Sequence, residues 1–143
     1  MRQSEITGTM ISQSKEIWEL LKPGEFVPEP GDWVANQSHA HGPEMVLMAK
    51  DGNLRTWSTS WLEESYFGIN KPGVFPIFTF SHCLDLLRER GWAPVNIDFT
   101  GSSWMGPLIT VFNLKSHLLN SGDGDNAHEA AQAVLLNVLK GES

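Results

Sequence analysis

Two histidines separated by one residue, His39 and His41, have the spacing in this sequence that best suits metal chemistry. On an extended strand both side chains point to the same face, as in many H-x-H metal-binding pairs. Glu44 or Asp32 would add an oxygen ligand, but a catalytic zinc needs three protein ligands and an open fourth position. The adjoining Gly42–Pro43 favours a polar surface loop. We therefore expect no cofactor, and keep a metal site of His39, His41 and Glu44 as the alternative.

The polar run around Asp123 and Asp125 begins like a calcium-binding loop. These two acids match the first and third ligand positions of an EF-hand, but three later positions carry the wrong residue types. We therefore predict a turn in which Asp125 or Asn126 caps the helix that follows.

The single cysteine, Cys83, has His82 beside it, and these are the residue types of a nucleophile and its base. On a helix, however, adjacent side chains diverge by about 100°, which places them poorly for proton transfer. Cys83 also falls on an apolar stripe, which predicts a buried, unreactive thiol. The chain has no G-x-S-x-G, Walker A or G-x-G-x-x-G motif, so we expect no catalytic residue.

Six tryptophans in 143 residues are a heavy aromatic load. Tryptophan and tyrosine are frequent hot spots of protein interfaces, and by this interpretation the contact residues are Trp57, Trp61, Tyr66 and Trp104. The simpler interpretation is that these large side chains fill a small core. The sequence leaves both interpretations open.

The first half of the chain must position these residues on a helix and a hairpin. The pattern predicts a flexible segment over 1–11, a helix from Ser12 to Lys22, and a short strand over 33–35. Strands over 44–50 and 53–60 are joined by Asp51–Gly52, which favours a two-residue type I′ turn. We expect a turn of helix within 61–69, and a joint between the halves at 70–73.

The second half, 71–143, is predicted to contain a helix, two or three antiparallel strands and a final helix. Thr79 or Ser81 caps the first helix, and Gly91 ends it. Strands are expected over 95–99, 108–113 and 117–120. The fold class is therefore α+β, with a small antiparallel sheet flanked by helices as a layered α/β/α sandwich, preceded by an N-terminal helix and β-hairpin segment over 12–70. The two halves either fold separately or merge into one domain.

The charge and hydropathy of the chain limit the classes of partner that it is expected to bind. Ten Lys and Arg stand against seventeen Asp and Glu, a net charge of −7 without a basic run, so we expect no nucleic-acid partner. No apolar stretch approaches the roughly 18 residues that span a bilayer, and the N-terminus lacks the apolar core of a secretory signal. We therefore expect no membrane partner and a cytoplasmic location.

Two segments of the second half, FTFSHCLDLLRERGW (78–92) and DNAHEAAQAVLLNVLKG (125–141), flank the predicted strands. This order of helix, glycine, aromatic residue, sheet and Ala-rich helix resembles the phage α/β/α-sandwich proteins over about half of the chain. The resemblance implies a small accessory protein encoded by a phage or prophage. The family has no established catalytic residues that would carry over.

These observations predict a non-enzymatic accessory protein, phage-like or from a mobile element, that binds a protein partner or a second copy of itself. The predicted three-stranded sheet leaves unpaired edges, which favours a homodimer in which strands pair across a two-fold axis. A metal-dependent hydrolase using His39, His41 and Glu44 is the first alternative. The second is an acidic mimic that binds a nucleic-acid-binding protein, since ten of the acids lie within residues 1–70.

Overall fold

The computed structural model describes residues 1–37, 42–59, 61–98 and 106–142. The chain folds as two compact units, Met1–Ile77 and Phe78–Ser143. Within the described residues there are three α-helices and two antiparallel sheets, of five and three strands. The predicted α+β class with an N-terminal helix is confirmed.

The first unit is one helix on a five-stranded antiparallel sheet. Its elements are α1 (Gly8–Leu20), β1 (Trp33–Asn36), β2 (Glu44–Lys50), β3 (Asn53–Ser58), β4 (Glu63–Gly68) and β5 (Val74–Pro76). The strand order is β4-β3-β2-β1-β5, so β4 and β5 are the edges.

The β2–β3 hairpin forms at the predicted turn. Asp51 and Gly52 have φ angles of 54° and 79°, the two positive values that a type I′ turn requires. The register shifts between Val46 and Met48, where β2 carries one extra residue, Leu47. This β-bulge moves Met48 to the face opposite Val46.

Helix α1 begins earlier than the predicted residue 12. Thr7 caps it, because its hydroxyl oxygen accepts a hydrogen bond from the Met10 amide at 3.1 Å. Met10 packs with Trp33, Phe75 and other residues of β1 and β5 in one apolar cluster. Residues 8–11 are therefore helical, and burial of Met10 explains the early start.

Residues 63–68 form strand β4, so the predicted turn of helix within 61–69 is wrong. The segment pairs along its whole length with β3, and only Phe67 is buried, opposite Leu54. An edge strand needs few apolar residues because one side of it faces solvent, which is why its pattern was ambiguous. Phe67 and Leu54 join the second apolar cluster of this unit, with Val34, Val46 and Val74, on the sheet face opposite α1.

The second unit is a three-stranded sheet with two helices. Its elements are α2 (Phe80–Glu89), β6 (Trp92–Asp98), β7 (Leu108–Asn113), β8 (Leu119–Asp123) and α3 (Ala127–Glu142), with sheet order β6-β7-β8. Strand β7 has the predicted bounds, whereas β6 begins three residues earlier and β8 two residues later than predicted.

The predicted caps of the second unit are confirmed. The Thr79 hydroxyl oxygen accepts a hydrogen bond from the His82 amide, and Gly91 has φ 82° just after α2. Asn126 Oδ1 accepts a hydrogen bond from the Glu129 amide at 2.9 Å, so Asn126 caps α3. None of the helices in the described residues has the length and apolar character needed to cross a membrane.

Candidate functional site

A row of opposed side chains crosses four strands of the first unit. The register opposes, in order, Trp33 of β1, Met45 of β2, Trp57 of β3 and Glu64 of β4. Directly opposed residues share one face of a sheet, so all four lie on the face that carries α1. Trp33 is 5% exposed, Met45 and Trp57 are half-buried, and Glu64 is exposed. Helix α1 therefore covers the β1 side of this face and leaves the β4 side open.

A second row lies on the open part of the same face. Arg55 of β3 is opposed by Met48 of β2 on one side and by Tyr66 of β4 on the other. Tyr66 is 72% exposed and Met48 is 46% exposed. These three residues, with Trp57 and Glu64, are called the aromatic face below. Because they project from hydrogen-bonded strands, their backbone positions are fixed before any partner arrives.

A shallow groove with a volume of about 330 Å³ lies at the β2–β3 turn end of the aromatic face. Its charged lining residues are Lys50, Arg55 and Asp51, so two cations lie beside one carboxylate. Among the described residues neither cation has a carboxylate within 4.0 Å, and Arg55 Nε is shielded from solvent without a hydrogen-bond partner. A shielded donor without a partner costs about 1–3 kcal/mol. The groove is therefore suited to an acidic group.

The loop between β3 and β4 presents two large apolar side chains. Trp61 is 62% exposed and Leu62 is 72% exposed. The Trp61 amide donates a hydrogen bond to Ser58 Oγ at 3.1 Å, and the Leu62 amide donates one to the Ser58 carbonyl at 2.9 Å. These bonds tie the backbone of Trp61 and Leu62 to the end of β3. The two side chains are called the hairpin tip below.

The structure brings together two of the four predicted contact residues. Trp57 and Tyr66 share the aromatic face, and Trp61 lies in the adjoining hairpin tip. Trp104 lies outside the described residues.

Sequence reasoning missed Met48, Arg55 and Leu62. A signal for the first two was present, because the two-residue turn at Asp51–Gly52 sets the register and places Met48 opposite Arg55. Leu62 carried no such signal, since its exposure depends on the course of the β3–β4 loop.

Of the three predicted metal ligands, only Glu44 lies within the described residues. His39 and His41 lie outside the described residues. Glu44 lies on β2 with a fully buried side chain, and its Oε1 accepts a hydrogen bond from Thr56 Oγ1 at 3.1 Å. The described part of the chain contains no group of three or more His, Cys, Asp or Glu that could hold a metal ion. The metal site stays a prediction.

The cysteine and histidines of the second unit support its helices. Cys83 is buried, as predicted, and burial raises the pKa of its thiol well above the usual range. His82 Nδ1 accepts a hydrogen bond from the Thr79 amide, which completes a capping box. His128 Nδ1 accepts a hydrogen bond from the Phe80 amide at 2.9 Å, so α3 supplies an acceptor to the first turn of α2.

Comparison of the chain with protein-family models, with curated proteins and with solved structures finds no match. The resemblance to the phage α/β/α-sandwich proteins therefore stays a prediction. The geometry of the aromatic face and the hairpin tip is the basis of the functional conclusion.

Proposed function

We propose that this protein is a non-enzymatic protein-interaction module, and that the aromatic face and hairpin tip of its first unit form the contact surface. The observation that carries this proposal is the exposure of four large side chains on strands β2 and β4 and in the loop between β3 and β4: Met48, Trp61, Leu62 and Tyr66. Scattered exposed apolar residues are normal on a protein surface, but neighbouring ones rimmed by charge are typical of interaction sites.

The residue types support the same conclusion. Interface cores are enriched in tyrosine, tryptophan, methionine and arginine, and all four types occur in this surface. Removal of a central hot-spot side chain usually costs 2 kcal/mol or more of binding energy, which is about a 30-fold loss of affinity. Tyr66 is the residue that we assign to this role, because it is the most exposed aromatic side chain of the aromatic face.

The accessory role in a phage or mobile element belongs to the same proposal. It is supported by the resemblance of residues 78–92 and 125–141 to the phage proteins. A small protein that acts by binding needs a rigid contact surface and no catalytic residue, and the first unit offers such a surface.

Site-specific photo-crosslinking tests the proposal. A benzophenone amino acid replaces Tyr66 in one variant and Val27 in a control, in cells that naturally encode the chain. Val27 is 64% exposed and belongs to the same unit, but it lies outside the aromatic face. We expect a covalent protein adduct of defined mass from position 66 and none from position 27. Equal yields at both positions, or no adduct at position 66, would contradict the proposal.

A further inference from the structure

We propose that the occupant of this surface is a second copy of the same chain, joined through antiparallel pairing of the two β4 strands across a two-fold axis. This inference rests on the proposed function, because it names the partner of the same contact surface. It follows from three features of β4 and its neighbours. These are the outward-facing backbone groups of β4, the opposite charges of Glu64 and Arg55, and the position of the hairpin tip.

Among the described residues, no strand pairs with the outer side of β4. Ile69 N–H donates a hydrogen bond to the Gly52 carbonyl at 2.9 Å, which extends the β3–β4 ladder by one residue pair. Hydrogen-bonded pairs alternate along an antiparallel ladder, so Glu64 and Tyr66 direct their backbone N–H and C=O groups away from β3. The carbonyl of Gly68 accepts a hydrogen bond from the Lys71 amide. The groups offered to a new strand are therefore those of Glu64 and Tyr66.

These free groups define one register for a two-fold pair. Antiparallel strands bond through outward-facing residues, so Glu64 lies opposite the partner's Tyr66, and Tyr66 lies opposite the partner's Glu64. The two-fold axis then passes between Ser65 and the partner's Ser65. The row of opposed residues continues into the partner sheet, where the partner's Arg55 follows the partner's Tyr66. The two sheets join into one sheet of ten strands, which removes both β4 edges.

The charges are complementary in this register. Glu64 is exposed, and among the described residues neither Glu64 nor Arg55 has an ion-pair partner. Adjacent strands are about 4.8 Å apart, so the Cα atoms of Glu64 and the partner's Arg55 are about 10 Å apart, with the partner's Tyr66 between them. The glutamate and arginine side chains are together long enough to meet beside the tyrosine ring. The symmetry forms this ion pair twice. A slip that set Glu64 opposite the partner's Glu64 would oppose like charges, so the charges disfavour that slip.

The hairpin tip adds apolar contact in the same arrangement. The hairpin tip immediately precedes β4, so in this register it lies near Gly68 at the end of the partner's β4 strand. Each tip therefore covers the end of the partner's β4 strand. The contact is small compared with the roughly 1,600 Å² of a standard interface, so we expect a dimer with a dissociation constant in the micromolar range.

Sedimentation velocity of the purified full chain over a range of concentrations tests this inference. Glu64→Arg and Arg55→Glu are measured alone and together, with Glu19→Arg on the exposed side of α1 as the matched charge control. We expect the wild type and Glu19→Arg to dimerise equally. Each single swap should weaken the dimer about tenfold or more, and the double swap should restore it to within about threefold. Glu64→Gln is the milder variant if a swap prevents folding, with a loss of about threefold expected.

Three outcomes would overturn the second-copy inference. They are a wild type that stays monomeric at high micromolar concentration, single swaps that leave the dimer unchanged, and a double swap as weak as the singles. If the purified chain is monomeric while position 66 crosslinks to a different protein, the inference fails and the proposed function stands. If the chain is monomeric and position 66 gives no adduct, both fail.

Discussion

Gly122 of β8 lies directly beneath α3, and an alanine at this position is expected to unfold the second unit more easily. A Cβ atom built there would lie 2.3 Å from Val134 N and 2.9 Å from the Ala133 carbonyl carbon. Real Cβ atoms essentially never approach closer than 3.0 Å. Both neighbours are backbone atoms, so no change of side-chain rotamer relieves the contact.

The size of the effect follows from how far α3 must move. A separation of 3.0 Å requires a displacement of about 0.7 Å, and a gap of about 0.5–1 Å removes a quarter to a half of the dispersion energy across it. The residues affected are fully buried on the inner side of α3: Ala130, Ala131, Val134 and Leu135. Overpacking a core typically costs about 1–3 kcal/mol. Because the backbone itself must yield here, we expect about 3 kcal/mol.

Urea unfolding followed by hydrogen exchange of peptides from residues 78–142 measures this loss. With a slope of about 1–3 kcal/mol per molar urea, the midpoint of the second unit should fall by about 1–3 M. Gly141→Ala is the control, since nothing lies within 4 Å of its added Cβ, and it should change stability by less than about 1 kcal/mol. If Gly122→Ala unfolds at the same urea concentration as the wild type, α3 does not pack directly against the backbone of β8 at Gly122, contrary to the close contact described above.

Three other changes have outcomes set by single contacts. His128→Leu removes the acceptor of the Phe80 amide and should cost about 1–2 kcal/mol in urea unfolding, whereas His128→Asn keeps an acceptor near the same place and should cost less. Equal losses in the two variants would show that the hydrogen bond does not matter. Thr56→Val removes a donor to the buried Glu44 carboxylate and should lower the free energy of unfolding by about 1.5–3 kcal/mol, while Thr56→Ser should stay near wild type. Burial raises the pKa of the Cys83 thiol, so the folded chain keeps it protonated while the unfolded chain ionises it above about pH 8.5. Stability is therefore lost as pH rises, and between about pH 8 and 10 the wild type should lose about 2 kcal/mol more than Cys83→Ala; parallel curves would contradict this.

The features that sequence predicted correctly are local. The Asp51–Gly52 turn needs two residues that tolerate positive φ, and both are adjacent in the chain. The caps at Thr79 and Asn126 depend on amides three residues away. Each of these structures is specified within four residues, so its pattern can be read without the rest of the fold.

The features that sequence missed depend on distant segments. Strand β4 has one buried side chain, Phe67, and becomes a strand because β3 offers it a hydrogen-bonding edge. The start of α1 at Gly8 depends on burial of Met10 against β1 and β5, which lie more than twenty residues further along the chain. The exposure of Tyr66 and the burial of Trp33, on one face of one sheet, depend on where α1 packs. No periodicity within a short window contains this information.

The open surface follows from the architecture of the first unit. A helix is about 10 Å in diameter and strands are about 4.8 Å apart, so one helix aligned with the strands covers about two of them. Helix α1 packs on β1 and β5, and its apolar cluster reaches Met45 of β2. Among the described residues of the first unit, no other α-helix covers the same face of β3 and β4. Tyr66 in this region is 72% exposed. The uncovered strands include the edge strand β4. The exposed apolar side chains therefore lie beside the outward-facing backbone groups of Glu64 and Tyr66. A partner strand that adds to β4 covers both at once, which is why edge pairing explains this surface better than a contact with the sheet face alone.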